Sequence, residues 1–391
     1  MEPALKARVF AYYLPQFHPI PENDRWWGEG FTEWTNVRKA KVLFKGHDQP
    51  RVPTELGYYD LRDSDVRERQ AELARWAGVE AFCYWHYWFG KGRELLERPF
   101  REVLASGKPD FPFCLAWANH SWTNATWEGA RGTRKVQMLM EQRYEGEEDY
   151  RAHYESVLPA FRDKRYVRVD GKPLFVVFDA LKFPDVGKFM ELWRGWATQD
   201  GLGGVHFVAI SENSSSFRED ETGNWIRTIP RTDNTAEVFA PLFRRGFDAV
   251  NSLGKRRAEM LVRGRFRRLA DILLKKARLN VRATHYDYRK IMEQFYTSED
   301  SRENVYPTLL PQWDRSPRTG KATDIYAGGN PEAFKASVEN ALRLIGGKSP
   351  EHRILFLRSW NEWAEGNYVE PDKTFGRGYL EALRSAVQEK R

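Results

Sequence analysis

The sequence predicts a (β/α)8 TIM-type barrel, and three observations predict it. Short apolar runs alternate with helical stretches eight times along 391 residues, the pattern of right-handed βαβ units on a parallel sheet. Polar and aromatic residues crowd the C-terminal ends of runs one to five, seven and eight, the face that carries chemistry in barrels. No glycine-rich phosphate turn follows the first run, which argues against the rival, an open doubly wound sheet. A single domain over residues 1–391 is expected, a length that suits one barrel with insertions.

The elements follow in order. Val9 to His18 reads as the first strand, with Tyr13, Gln16 and His18 at its far end. The loop after it holds Trp26-Trp27-Gly28-Glu29-Gly30-Phe31-Thr32-Glu33-Trp34. Disordered segments lack this many tryptophans, so the loop reads as the ordered rim of a site. Asp63 or Ser64 caps a helix to about Ala77, and Gly78 stops it. Val79 to Phe89 is the second strand, with His86 and Trp88 near its end, and a helix over about 93–106 follows. Phe111 to Trp117 is the third, leading into Asn119-His120-Ser121-Trp122. After a charged helix over about 146–164 comes a fourth strand, Pro173 to Asp179, and then a helix from Pro184 to Gln199. His206 to Ser211 is the fifth, followed at once by Glu212. Either Glu237–Phe243 or Phe247–Asn251 supplies the sixth. Tyr306 to Leu310 is the seventh and runs into Gln312-Trp313-Asp314-Arg315. Asn330 caps the next helix, Pro331 takes its first position and Gly346 ends it. The run Ile354-Leu355-Phe356-Leu357 opens the eighth strand, and a helix over about 377–389 closes the fold.

Composition narrows the function classes. Hydrophobic residues at 41% and charged residues at 30% describe a soluble globular protein. Neither an N-terminal apolar leader nor an 18-residue apolar run is present, so the chain is expected in the cytoplasm. Cys83 and Cys114 lie in apolar runs and read as buried thiols, not as a disulfide framework. The aromatic load is 15 Trp, 17 Tyr and 24 Phe, much of it beside hydrogen-bonding residues, as sugar-binding surfaces require. Most of these rings are nonetheless ordinary core.

Residues 255–290 break the barrel pattern. They hold 13 Lys and Arg against Glu259, Asp271 and Asp287, with Val262, Phe266, Leu269 and Leu273 at helical spacing. This reads as a basic amphipathic insertion after the sixth strand. A solvated helical face is the plain explanation. The functional one is contact with an acidic glycan, a lipid phosphate or the inner-membrane surface. No nucleic-acid-binding motif accompanies the charge, so nucleic acid is not an expected partner.

The chemistry is expected after the eighth strand, in Arg358-Ser359-Trp360-Asn361-Glu362-Trp363-Ala364-Glu365-Gly366. In an extended strand Glu362 and Glu365 would point to opposite faces. If the chain turns after Asn361, residues three apart become neighbours, and Gly366 favours a turn. Two convergent carboxylates among aromatics can divide the labour of glycoside chemistry: one is held protonated, the other ionised. The alternative is that Glu362 caps a helix and Glu365 is solvated.

Several motifs resemble the WbsX-type family, usually labelled glycosyltransferases of bacterial polysaccharide loci and related to glycoside hydrolase family 99. They are Tyr12-Tyr13-Leu14-Pro15-Gln16-Phe17-His18, Trp27 to Trp34, Leu56 to Arg62, Phe82 to Phe89, Trp117 to Trp122, Trp313-Asp314 with Pro317-Arg318, and Trp360 to Gly366. The resemblance covers nearly the whole chain. It implies a (β/α)8 fold and a retaining reaction on α-mannoside-like glycans. In that scheme Glu362 is the base on the substrate's own 2-hydroxyl and Glu365 the acid/base. Ala364 stands where family 99 commonly has His, so the sugar is left open.

Around this pair, Trp34, Trp88, Trp117, Trp122 and Trp360 are candidates to stack on or line sugar faces. Tyr13, Gln16, His18, His86, Asn119, His120, Glu212 and Asp314 are candidates to bind hydroxyls. Asn361 and Asp179 are candidates to orient neighbours. No metal or cofactor is expected. The leading expectation is a retaining glycoside hydrolase acting on an α-linked bacterial surface glycan. A glycosyltransferase of O-antigen synthesis is the alternative, although Asp63-Ser64-Asp65, the one Asp-x-Asp match, sits where helix capping explains it. A silent carbohydrate-binding scaffold is the third reading, opposed by the intact glutamates.

Overall fold

In a computed structural model of the protein, the structure describes residues 4–389 apart from 125–135, 212–216, 220–224, 228–234, 265, 268–269, 271–272, 274–282 and 322. Eight parallel strands form the barrel: β1 Arg8–Tyr13, β2 Ala81–Trp88, β3 Phe113–Trp117, β4 Lys172–Val177, β5 His206–Ile210, β6 Ala249–Ser252, β7 Val305–Leu309 and β8 Ile354–Leu357. Each strand pairs with the next, and β1 pairs with both β2 and β8, so the sheet closes with no edge. The sixth strand is the second of the two sequence alternatives. Glu237–Phe243 instead falls within a helix, Thr235–Arg244, and Glu212 lies outside the described residues.

Helices follow the strands: α1 Ser64–Ala77, α2 Arg98–Ser106, α3 Glu147–Arg162, α4 Val186–Gln199, α5 Thr235–Arg244, α6 Lys255–Arg263, α7 Pro331–Ile345 and α8 Gly378–Val387. Local sequence sets their ends. The Asp63 side chain accepts from the Asp65 N–H at the start of α1, and Gly78 ends it in a left-handed conformation. Asn330 caps α7 through the Ala333 N–H, with Pro331 inside the first turn. Of the basic segment, α6 is an ordered helix. Beyond it the described Phe266 and Leu273 stand 86% and 56% exposed. No helix among the described residues is long and apolar enough to cross a membrane.

The barrel is filled, not hollow. Tyr12 stacks between Trp85 and Phe356, with ring centroids 4.8 and 5.3 Å apart, and its hydroxyl donates to Asn251. Asn251 in turn donates to the Tyr306 carbonyl and to Thr308. Cys83 and Cys114 face each other across β2 and β3 as buried free thiols. This plug closes the barrel below its C-terminal mouth, which leaves the mouth as the place for a site.

Candidate active site

The strand β8 leaves the barrel through Arg358 to Trp360 and then doubles back. Asn361–Glu362 pairs antiparallel with Asn367–Tyr368, and a single 3-10 turn, Trp363–Glu365, joins them. Gly366 completes the reversal at φ 55°. A Cβ there would lie 2.8 Å from the Asp314 Cβ and carbonyl oxygen and 2.9 Å from its nitrogen. Backbone cannot yield as a flexible side chain can. Gly366→Ala is therefore expected to destabilise the fold by about 2–4 kcal/mol. Urea unfolding checks this, and a midpoint equal to wild type would show that the turn tolerates a side chain.

The turn brings Glu362 and Glu365 together on one cation. Arg318 Nη1 donates to Glu365 at 2.8 Å and stands 3.6 Å from Glu362. Its other terminal nitrogen lies 3.3 Å from Glu33, which also accepts from the Ala364 N–H at 3.0 Å. Arg315 Nε lies 3.1 Å from Glu365. All three carboxylates are buried. Burial pushes the Glu362 carboxyl well up, and the neighbouring Glu365 charge adds to the push. The same burial would raise Glu365, but Arg315, Arg318 and Arg358 override it and hold Glu365 below the usual carboxylate range. The pair thus splits into a proton holder, Glu362, and a charge holder, Glu365.

Both glutamates line a cavity of about 340 Å³ at the barrel mouth. Its aromatic walls are Trp27, Trp85, Tyr87, Trp122, Phe178 and Trp313, and Gln16, Asn23, His120 and Ser121 add hydrogen-bonding groups. Of the residues proposed from sequence, Gln16, His120, Trp122, Glu362 and Glu365 reach this cavity. The other described candidates do not, and strand parity explains four of them. Side chains alternate along a strand, and the mouth-facing pair on β2 is Trp85 and Tyr87. His86 and Trp88 therefore face the helices, where His86 meets His153 and Glu94 and Trp88 donates to Asp149. Tyr13 is likewise turned outward to Gln70 on α1, and Trp117 donates to the Trp88 carbonyl and packs on Phe189.

The remaining candidates brace the site from behind. Asn361 accepts from the Leu14 N–H and donates to its carbonyl, tying the end of β8 to the end of β1. Asn119 clamps Asp179 in the same way, tying β3 to β4. Trp34 donates to the Tyr59 carbonyl and packs on Trp363, His18 bonds the Pro15 carbonyl, and Trp360 is buried against Phe82. Asp314 accepts from His47, Gln49 and the Ser316 N–H. Burial would raise it, but those donors hold it down at about 2. Its own N–H donates to the Glu365 carbonyl. Asp314 thereby fixes the short helix Ser316–Thr319 that carries Arg318.

Sequence reasoning missed Glu33, Arg315, Arg318 and Arg358 as site residues. Pro317-Arg318 was visible as a motif, but nothing local marks an arginine as the shared partner of distant glutamates. Trp85 and Tyr87 were legible through the period-two rule once the strand was placed.

A further buried carboxylate supports the turn. Glu370 accepts from Trp363 Nε1 at 2.7 Å, Gln70 Nε2 at 2.7 Å and the Tyr59 hydroxyl at 2.9 Å. Burial pushes it up to about 7 despite these donors. A folded pKa above the unfolded one gives stability that is complete below the unfolded value and lost as pH rises through the folded one. Glu362 shifts in the same direction. The melting temperature is expected to fall between about pH 5 and pH 8, and Glu370→Gln to make that fall shallower. An unchanged slope in a melting series would contradict this account.

Comparison with known proteins fits the geometry. A solved structure described as a glycoside hydrolase-like protein aligns over 100% of this chain and 96% of its own, with TM-score 0.57 and 16% identity. The GH99 endo-alpha-mannosidase of Bacteroides thetaiotaomicron, solved with bis-tris-propane, aligns over 97% and 96%, with TM-score 0.53 and 14% identity. Both share the barrel fold. Two curated relatives, each called uncharacterized protein WxcX and drawn from two strains of Xanthomonas campestris pv. campestris, are 34% identical over 386 residues. That match covers 98% of this chain and 50% of theirs, so the chain spans about half the length of the relatives. The family described as glycosyltransferase WbsX matches residues 9–383, nearly the whole barrel, and the chain belongs to that family.

Proposed function

We propose that the protein is a retaining glycoside hydrolase that cuts an α-linked glycan with Glu362 and Glu365. The observation that carries this reading is the pair itself: two buried carboxylates on one arginine, facing an aromatic-walled cavity. Both carboxylates lie within reach of one arginine nitrogen, at 2.8 and 3.6 Å, which supports a closely spaced pair of the kind retaining glycosidases use. The neutral and ionised environments of the pair match an acid and its partner.

The division of roles implied by the family resemblance needs the charge on Glu362 and the proton on Glu365. The arginine contacts favour the opposite, with Glu362 donating the proton to the leaving oxygen and Glu365 acting as the ionised partner. The shared barrel of the GH99 endo-alpha-mannosidase supports an α-glycan substrate.

The WbsX family's description favours a second reading, transfer from a nucleotide sugar. One experiment separates the two. Wild-type protein is incubated with α-linked bacterial glycans and mannosides, and in parallel with nucleotide sugars and acceptors. Release of reducing sugar, with product first appearing as the retained anomer by NMR, supports the hydrolase. Nucleotide release dependent on acceptor sinks it.

The basic segment after β6 is proposed to rest on an anionic surface. Its net charge over residues 255–290 is strongly positive, and Leu261, Phe266 and Leu273 are exposed. Replacing Arg263, Arg265, Arg267 and Arg268 with Gln is expected to abolish sedimentation with phosphatidylglycerol vesicles. Equal sedimentation of the variant and wild type would refute the contact.

A further inference from the structure

The cavity holds more positive charge than acid/base chemistry on a neutral sugar requires. Arg315, Arg318 and Arg358 all line it, against Glu362 and Glu365. Arg318 is committed to Glu33, Glu362 and Glu365. Arg315 is placed differently. Its Nε faces Glu365 at 3.1 Å, its guanidinium lies 5.9 Å from the Trp313 ring centroid, and its side chain is 36% exposed. Its two terminal nitrogens make no hydrogen bond to the described residues. A planar guanidinium with its fork open toward a cavity matches a carboxylate or phosphate, which it can bind through two parallel hydrogen bonds. Lys255, with its ammonium 4.5 Å from the Trp313 ring centroid, is already paired with the buried Glu259 at 2.6 Å, which leaves Arg315 as the candidate cation.

We propose that the glycan carries an anionic sugar and that Arg315, on the Trp313 side of the cavity, binds its charged group. The inference rests on the hydrolase reading only for the word substrate; the binding preference itself does not depend on turnover. Burial favours the neutral form of Glu362, which leaves Glu365 to carry the charge of the lining pair, among three guanidiniums. A neutral sugar would leave Arg315's fork unpaired on binding, which costs affinity.

The test is binding of α-linked bacterial polysaccharides that contain uronate or sugar phosphate, measured by calorimetry on the full chain. Each is used native, carboxyl-reduced and dephosphorylated. At least one native polymer is expected to bind about tenfold or more tightly than its neutralised form, and the arm that loses affinity names the carboxylate or the phosphate. Arg315→Gln is expected to bring native and neutralised forms to equal affinity, and Arg315→Lys to restore part of the difference. If Arg315 merely supports Glu365, Arg315→Gln weakens both forms alike and the preference survives, which overturns the proposal. So does a panel in which no native polymer binds better than its neutral form. Hydrolysis is read on the same panel. Cleavage of neutral glycans alone leaves the hydrolase reading standing and removes the anionic subsite. Preferential binding of a native polymer without cleavage does the reverse.

Discussion

Glu362→Gln is expected to lower kcat/KM on a natural glycan by more than about a hundredfold, the scale of losing a general acid. The loss should depend on the leaving group. A glycan alcohol needs a proton as it departs, whereas an activated aryl leaving group does not, so the variant should retain most of its activity on an aryl glycoside. Wild-type activity should hold while Glu362 keeps its proton and fall on the alkaline side, because burial and the Glu365 charge raise it. The variant should lose that alkaline limb. Glu365→Gln should behave differently and lose activity on both substrate types, since its charge is needed whatever departs. If the leaving-group dependence appears in Glu365→Gln instead, the two roles are exchanged and the division implied by the family resemblance holds.

Arg318→Met is expected to be the most damaging single change away from the glutamates. Arg318 is only 13% exposed and faces three buried carboxylates. Removing one partner from a buried ion cluster typically costs about 3–5 kcal/mol, because the charges left behind keep their desolvation penalty. The deficit should shrink as pH falls toward 4. The orphaned carboxylates then have raised folded pKa values, and such groups cost least where they are protonated. Activity should fall along with stability, because Glu365 loses the contact that keeps it ionised. Urea titrations at about pH 4 and pH 7.5, with kcat/KM alongside, check both parts. A deficit that grows on acidification would contradict the account.

The fold was legible because barrel strands write themselves as apolar runs with helix caps between them. Asp63, Gly78, Asn330 and Pro331 act as their sequence positions imply. The sixth unit was ambiguous for a physical reason: Glu237–Phe243 is apolar enough for a buried strand, yet lies within α5. The site was legible in part. The turn at Gly366 was written in the spacing of Glu362, Glu365 and the glycine. Aromatic character without parity points to His86 and Trp88, whereas parity turns Trp85 and Tyr87 of the same strand to the cavity. Asn119, Asn361 and Asp314 look like ligands for hydroxyls because clamping a backbone uses the same donors and acceptors. The arginine cluster was beyond local reading, since Arg318 and Glu33 are 285 residues apart in sequence and meet only through the closed barrel.

The most direct test of the central claim is hydrolysis of the α-linked glycan and mannoside panel by wild type beside Glu365→Gln. The account predicts that wild type releases sugar from at least one member and that the variant loses more than about a hundredfold of that rate. Release that survives the substitution unchanged would contradict the paired-glutamate mechanism.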